Sequence, residues 1–507
     1  MRSSRFAFAL VLASIAGCSS SSFDVAETTD APVDEDTAVA DTSVADTWIA
    51  PDTSEPTDIA ADTVLPTDTV GSEVSDGSPP ACDPSTKPDE TMGVFASPTG
   101  SDGTGDGTAL KPLRSIGAAL VKANALGRSR VYLDVGTYPE SVNIGDPPAG
   151  VFVEGGWKAI GASWGRNCAG DARAQTVIAS PSNIGVLVDA PKKPSGLRRL
   201  TVTTKANGAS PIDTSGEAVF GVFIRGNGAV FTLENVDVIG GNGGNGGTAK
   251  NGIPSSTSFV CAASCSTGAA GAGSPAASGA KVPGGFGASG YTPADGSPGV
   301  KGSDGQMGTS GGSGSSGSCV TSCSSLVPDC TGVTSCSAAV AIKTAANGSC
   351  GCGGSGGAGG GRGRGGGAAV SVLIIGDSVD VQIVGSRLQA GNGGKGSDGG
   401  LGADGSPGST GKAGDSISCA ASCGRDPSCN CAPSSTATVI AGGTAGGVGG
   451  TGGRGGNGGA GAGGQSYALV TIGTAQKVTT TSVTLAHGTG GSGSIFGTAG
   501  DRFPPGG

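Results

Sequence analysis

Fifteen cysteines and a single histidine are the residues through which this chain could do chemistry. Most of the cysteines come in closely spaced pairs. Cys261/Cys265, Cys319/Cys323 and Cys419/Cys423 are Cys-x3-Cys; Cys350/Cys352 and Cys429/Cys431 are Cys-x-Cys. Cys330 and Cys336 lie among them, while Cys82 and Cys168 stand apart. Thiols at these spacings suit two chemistries: four thiolates holding zinc, or pairs closing disulfides. His487, in Ala-His-Gly, excludes any site built on two imidazoles. Asp102 and Asp106, in SDGTGDGT, offer carboxylate oxygens of the kind calcium takes. The same spacing also builds Asx turns. Apart from calcium there, no cofactor is indicated. Glu234, Asp237, Asp377 and Asp380 are scattered acids, not the convergent pair that glycoside cleavage needs. No glycine loop stands at a strand-to-helix junction to cradle a phosphate.

The elements that would position these groups show in a repeated pattern. Four segments align without a gap: 183–208, 219–244, 369–394 and 466–491. One column reads Val186, Val222, Val372, Leu469, and two residues on comes Val188, Ile224, Ile374, Thr471. Further columns are Leu197, Leu233, Ile383, Thr480; Leu200, Val236, Ser386, Val483; and Val202, Val238, Leu388, Leu485. A period of two is strand alternation, one face in and one out. An outward column, Thr201, Asp237, Arg387, Thr484, makes Asp237 and Arg387 neighbours if successive copies stack. The junctions vary widely: 209–218, 245–368 and 395–465. A repeat that keeps register while its junction swells predicts a solenoid with its insertions at one corner. The expected class is therefore all-β: a single-stranded parallel β-helix with long glycine-rich, disulfide-containing inserts.

Composition sets the limits. The chain has 507 residues, a net charge of −10, 101 glycines and 4% aromatic residues. Burial must come from aliphatic ladders and close backbone packing. The acidic balance, with no basic stretch studded with aromatics, argues against nucleic acid as a partner. From Ser19 to about residue 90 the sequence repeats Asp-Thr, Ala-Asp and Pro-Thr, with no Lys or Arg between Phe23 and Thr86. Such a segment buries too little to offset the entropy of ordering and is expected to be an extended tether.

The two large inserts are built alike, each with Cys-Ala-Ala-Ser-Cys, Asp-Gly-Ser-Pro-Gly (from Asp295 and Asp404) and a Cys-x-Cys. Glycine recurs every third residue in 296–317, 351–366, 393–414 and 443–464. A threefold polyproline II helix brings every third residue to one edge, where glycine lets backbones approach closely. With so few prolines a collagen triple helix is disfavoured, which leaves bundles of single glycine helices or plain disorder.

Three stretches resemble known families. The apolar run Phe6–Ile15 after Arg2 and Arg5, ending in Ile15-Ala16-Gly17-Cys18, resembles the bacterial lipobox. That resemblance implies lipidation of Cys18, a membrane anchor and, with Ser19 following rather than Asp, the outer membrane. The segment from Val94, with Ser97, Gly100, Asp102, Gly136, Thr137, Tyr138 and Glu140, resembles the entry to right-handed parallel β-helices of the pectin-lyase-like superfamily. It implies a helix capping the open end, expected with Pro112 in its first turn, Gly127 as its stop, and Leu113, Ile116, Leu120 and Ala123 on one face. The glycine tracts resemble the arrays of mycobacterial PE-PGRS proteins. The motifs of polygalacturonases and pectate lyases, by contrast, find no match, and Gly393–Asp398 fits only the start of the RTX calcium nonapeptide. With Cys18 lipidated, fourteen cysteines remain, an even number in an exported chain, which favours disulfides over zinc. Cys82 and Cys168, outside the inserts, are candidates to pair with each other.

The expected organisation is a signal and lipobox (1–18), a tether (19–90), a first β-helix part with its cap (91–247), an insert (248–366), a coil (367–394), a second insert (395–464) and a last coil with its tail (465–507). The expected function is a non-enzymatic lipoprotein of the outer membrane, periplasmic or at the cell surface, displaying glycine-rich loops for adhesion, matrix or envelope structure. Its partners would be the membrane and a polysaccharide or extracellular matrix. The alternatives are polysaccharide binding or cleavage on the same helix, and binding of an ordered surface such as ice.

Overall fold

In a computed structural model of the chain, the described residues are 82–504, apart from 162, 257–258, 261–264, 320–323, 326–340, 420–430 and 433–438. The signal segment with Cys18, the tether up to residue 81, and Cys261, Cys323, Cys330, Cys336, Cys423 and Cys429 lie outside them, as do the side chains of Cys319 and Cys431. Strands dominate. No helix among the described residues is long and apolar enough to cross a membrane.

The body is three parallel sheets that take strands in rotation. After Gly93–Ala96, each circuit of the chain gives one strand to the first sheet, one to the second and one to the third, except that Phe152–Ile160 is followed by Ser163–Arg166, which folds back antiparallel on it in the first sheet. One full circuit is Ser195–Arg198, Thr201–Thr204 and Val219–Arg225; the next is Val230–Glu234, Asp237–Ile239 and Ala369–Ile375. Aliphatic columns run through the stack. Val222 is the partner of both Val186 and Val372, and Val372 of Leu469. Leu233 pairs with Leu197 and Ile383, and Val238 with Val202 and Leu388. These side chains form one fully buried core, each adding ~1.5–3 kcal/mol of burial. Ser386 interrupts a column without cost: its Oγ accepts from Val236 N (3.0 Å) and donates to the Val384 carbonyl (2.9 Å).

Corners are made by residues with positive φ, single between the first and second sheets and, at three of the third-to-first corners, followed two residues on by a second (Gly228, Ser378, Ala475). Arg199, Asn235, Gly385 and Ser482 turn the chain from the first sheet to the second with φ of 52°, 55°, 58° and 52°. Ala190, Gly226, Gly376 and Gly473 do so from the third to the first. At Gly376 an added Cβ would press on the Gly226 carbonyl, so only glycine fits that rung. The remaining corner, from the second sheet to the third, carries every long junction.

One end of the core is covered by the helix Ile116–Leu126. It begins later than Pro112 suggests, because Leu113 is held in a bridge to Ala96. Ser115 caps the helix instead, its Oγ accepting from Ala118 N (3.1 Å), while Glu140 accepts from Ile116 N (2.7 Å) and Gly117 N (3.0 Å). Gly127 ends it with φ 64°. Ile116, Ala119 and Ala123 are buried, and Leu120 is partly so. At the opposite end the columns turn polar: Thr471 and Thr480 replace aliphatic residues, and Arg502 donates to Thr480 Oγ1 (2.8 Å). A second apolar cluster lies outside the core. The hairpin Gly285–Gly287/Gly290–Thr292, sent back from the first insert, lays Phe286 and Tyr291 against Tyr467, Phe503, Phe220 and Phe223 on the third sheet.

Candidate functional site

The acids flagged by the sequence are already engaged. Asp102 Oδ1 accepts from Arg114 N (2.8 Å) and Ser115 N (3.0 Å). Burial pushes its carboxyl up, but these bonds and that of the Ser115 hydroxyl outweigh it and hold it below the ordinary value. Asp106 Oδ1 accepts from the hydroxyl and N–H of Thr108, which lower its carboxyl likewise. Among the described residues, no three Asp, Glu, His or Cys side chains gather as a metal-holding group. Glu234 pairs with Arg198 (2.8 Å) and Asp380 with Lys477 (3.2 Å). Asp377 accepts from the N–H and hydroxyl of Thr474 (2.7 and 2.8 Å). Asp237 does stand opposite Arg387 in register, but its ion pair is with Arg173 Nη1 at 3.2 Å, and Arg387 turns to Gln389. Burial raises the Asp237 carboxyl and Arg173 opposes that. His487 Nδ1 lies 2.8 Å from the carbonyl of Gly488, with Asp501 3.9 Å from its other nitrogen.

Disulfides join Cys82 to Cys168 and Cys265 to Cys350, and Cys352 and Cys419 are also disulfide-bonded. Cys265–Cys350 closes a long stretch of the first insert, which should stabilise the fold by roughly 2–4 kcal/mol by restricting the unfolded chain.

The inserts carry the most regular chemistry in the molecule, and it is backbone chemistry. Gly296, Gly299, Gly302, Gly305 and Gly308 donate to the carbonyls of Gly363, Gly360, Gly357, Gly354 and Gly351, stepping by three in opposite directions. Gly351, Gly354, Gly357, Gly360 and Gly363 donate in turn to Gly447, Gly450, Gly453, Gly456 and Gly459, stepping together. From the other insert, Gly400, Ala403, Ser406 and Ser409 donate to Gly361, Ala358, Ser355 and Cys352. A step of three is the period of a polyproline II helix, which has no internal hydrogen bonds and must pair outward. Segment 447–460 is the hub. Two of every three of its N–H groups donate, Gly449 to Ser409 and Gly450 to Gln306 for example, and the carbonyls of Thr451, Arg454 and Asn457 accept from Gly271, Ser274 and Ala277. An added Cβ on Gly453 would overlap the Ala272 carbonyl, and one on Gly357 the Ala403 carbonyl. Glycine is therefore required here for close approach. Both inserts share this one lattice.

Arg364, inside a glycine tract, clamps the lobe to the shorter junction 205–218. Its guanidinium reaches Asp213 Oδ1 (2.7 Å) and Asp295 Oδ2 (2.8 Å), and Asp295 also accepts from Gly365 N and Ser215 Oγ. Nothing in the tract's period points to this clamp.

One face of the lobe continues the second sheet. Asn207, Ser210 and Asp213 donate through their N–H to the carbonyls of Asn242, Asn245 and Thr248; Gly243, Gly246 and Gly252 donate to Asn392, Lys395 and Leu401; and Gly393 and Gly396 donate to Thr489 and Ser492. Side chains reinforce the ladder. Asn242 Oδ1 accepts from Asn392 N (2.8 Å), Asn245 Oδ1 from Lys395 N (2.8 Å), Asn251 Oδ1 from Leu401 N (2.9 Å), and Asn392 Oδ1 from Thr489 N (2.9 Å). These bonds fix the amide planes, yet the Nδ2 groups of these four asparagines donate to none of the described residues. Asn242, Asn251 and Asn392 are exposed. Along one segment, positions 242, 245, 248 and 251 repeat every ~9.3 Å. The result is a row of oriented amide donors on a backbone hydrogen-bonded to the segments beside it. It suits a hydroxyl-rich polymer laid across it, because each donor waits at a fixed place. No described protein family, characterised protein or solved structure matches this chain.

Proposed function

We propose that the chain is an exported, non-enzymatic lipoprotein of the bacterial outer membrane, anchored through Cys18, whose glycine lobe is an adhesive surface for a polysaccharide or matrix polymer. In this reading the three parallel sheets are the faces of a right-handed β-helix of the pectin-lyase-like kind. The body is a stiff post, and the tether between anchor and post gives it reach. The observation that carries the reading is the asparagine ladder: a polar row of side-chain amides held in place by backbone bonds, on a lobe that every long junction joins. An enzyme cleft would bring acids together, whereas this face offers oriented amide donors.

The test is retention of the full chain on a panel of immobilised neutral polysaccharides and matrix polymers, with product analysis of the wash. The expected result is retention without chain scission, weakened by Asn242→Ala with Asn392→Ala while the melting temperature barely moves. Release of reducing or unsaturated ends, lost on changing acids of the body, would replace this function with polysaccharide cleavage. Metabolic labelling with a fatty-acid probe, abolished by Cys18→Ser, tests the anchor separately.

A further inference from the structure

One concavity carries a charge opposite to that of the chain. A cleft of about 390 Å³ lies on the outer face of the first sheet, at its Gly93–Ala96 end. Its floor comes from adjacent strands: Arg130 is the register partner of Phe152, and Glu154 of Arg198. Its wall is the segment after Cys82, held by the Cys82–Cys168 disulfide, by Arg166 N donating to the Thr86 carbonyl (3.1 Å) and by Asp89 N donating to Tyr132 Oη (3.2 Å).

Four cations line it, Lys87, Arg130, Arg166 and Arg198, against two carboxylates, Asp89 and Glu154, while Glu234 on the next strand takes Arg198 at 2.8 Å. The chain as a whole is at −10. Glu154 is committed to Arg166, at 2.9 Å. Arg130 comes only to 3.6 Å of Glu154, and its guanidinium, with five N–H groups, donates no hydrogen bond to the described residues. Its Cζ lies 5.1 Å from the centre of the Phe152 ring, and that of Arg198 4.2 Å from the same centre. Stacking on one ring fixes both forks in place before any ligand arrives. Trp157 Nε1, in the same lining, is buried and has no partner. Arg166 and Arg198 each have a close acid, Glu154 and Glu234, whereas Lys87 and Arg130 have none within 3.5 Å among the described residues, a balance that a purely structural network would not need.

We propose that this cleft is an oxyanion site, which takes a carboxylate or phosphate group of a small organic ligand on the Arg130 guanidinium, with Lys87 closing from the wall and Arg198, ion-paired to Glu234, beside it. The surplus positive charge draws the anion in, and the idle donors of Arg130 grip it in a bidentate fork. The site shares no residue with the asparagine ladder, so it stands or falls independently of the adhesive reading.

The experiment is calorimetric titration of the full chain with inorganic phosphate, glucuronate and, as a neutral control, glucose, at low and high salt. The expected result is binding of at least one anion, no binding of glucose, and weakening as salt rises. Phosphate alone would mark the site as tetrahedral in preference, glucuronate alone as planar. Arg130→Gln should weaken the anion at least tenfold and Arg130→Lys less, because the lysine keeps the charge and loses the fork. Lys87→Gln, on an exposed side chain that cannot unfold the body, should weaken it several-fold. Binding of neither anion, equal uptake of glucose, or unchanged affinity in Arg130→Gln and Lys87→Gln, each with an unaltered melting temperature, would overturn the proposal.

Discussion

The strand body and the glycine lobe are both stacks of chain segments bonded through their backbones, yet they are held together in opposite ways. In the body, side chains such as Ile224, Leu233 and Val372 fill the interior, and the backbones stand a side chain apart across it. In the lobe there is almost nothing between the backbones, and the interior is made of N–H, C=O and Cα groups. The contrast teaches that the two halves have opposite tolerances. The body fails when atoms are removed. The lobe fails when atoms are added.

The largest effect should come from Leu233→Ala, which empties a fully buried site and is expected to destabilise by ~2–5 kcal/mol in a denaturant titration. Exchanging Ile224 for Val should cost only ~0.5–1.5 kcal/mol, since the column needs volume more than shape. If Leu233→Ala instead left the midpoint in place, the body would not be held by its columns. Next comes the lobe's covalent staple. Replacing Cys265 and Cys350 together by serine should cost roughly 2–4 kcal/mol and speed proteolysis within the lobe first. Gly453→Ala should follow at about 1–3 kcal/mol, by forcing the methyl against the Ala272 carbonyl. Gly285→Ala, with nothing within 4 Å of the new carbon, should stay within about 0.5 kcal/mol of the parent. If the two glycine variants behaved alike, the lobe would not be close-packed.

The smallest effect is electrostatic and sharpens the comparison at the seam between lobe and junction. Burial raises the Asp295 carboxyl, but bonds from Gly365, Ser215 and Arg364 outweigh it and leave it below the ordinary 3.8. A depressed carboxyl stabilises the fold fully above its unfolded value and loses that contribution as pH falls through the folded one. Amide protection factors around Asp295 and Gly365, measured against the intrinsic exchange rate at each pH, should therefore be flat from neutral pH down to about 4 and fall below that. Asp295→Asn should remove the pH dependence.

Much of the body could be read in advance because its signal is local. Alternation of two within 183–208 and its copies names the inward residues, and gapless alignment names their stacking partners. The lobe's period of three was equally visible, but whether it folds depends on partners in the other insert, so order and disorder looked alike. What escaped reading is what long-range meetings create. Arg364 stands in a glycine tract like any exposed basic residue until Asp213 and Asp295 arrive from distant segments. Arg130, Phe152, Arg166 and Arg198 form a cleft only through strand register and the Cys82–Cys168 link. Phe286 and Tyr291 sit in an insert yet pack on the third sheet. Arg199, Asn235 and Ser482 hold left-handed corners that composition does not demand of them. Pro112 suggested a helix start, and the bridge of Leu113 to Ala96 prevented it.

Residue-resolved hydrogen exchange by NMR across 447–460 of the full chain tests the lattice most directly. The backbone N–H groups of Gly449, Gly450, Gly452, Gly453, Gly455, Gly456, Gly458 and Gly459 donate to neighbouring segments, whereas those of Thr451, Arg454 and Asn457 donate to none of the described residues. The lattice therefore predicts two slowly exchanging amides followed by one fast one, repeated along the tract. Uniformly fast exchange at every position would contradict it, and with it the rigid surface on which the proposed adhesion depends.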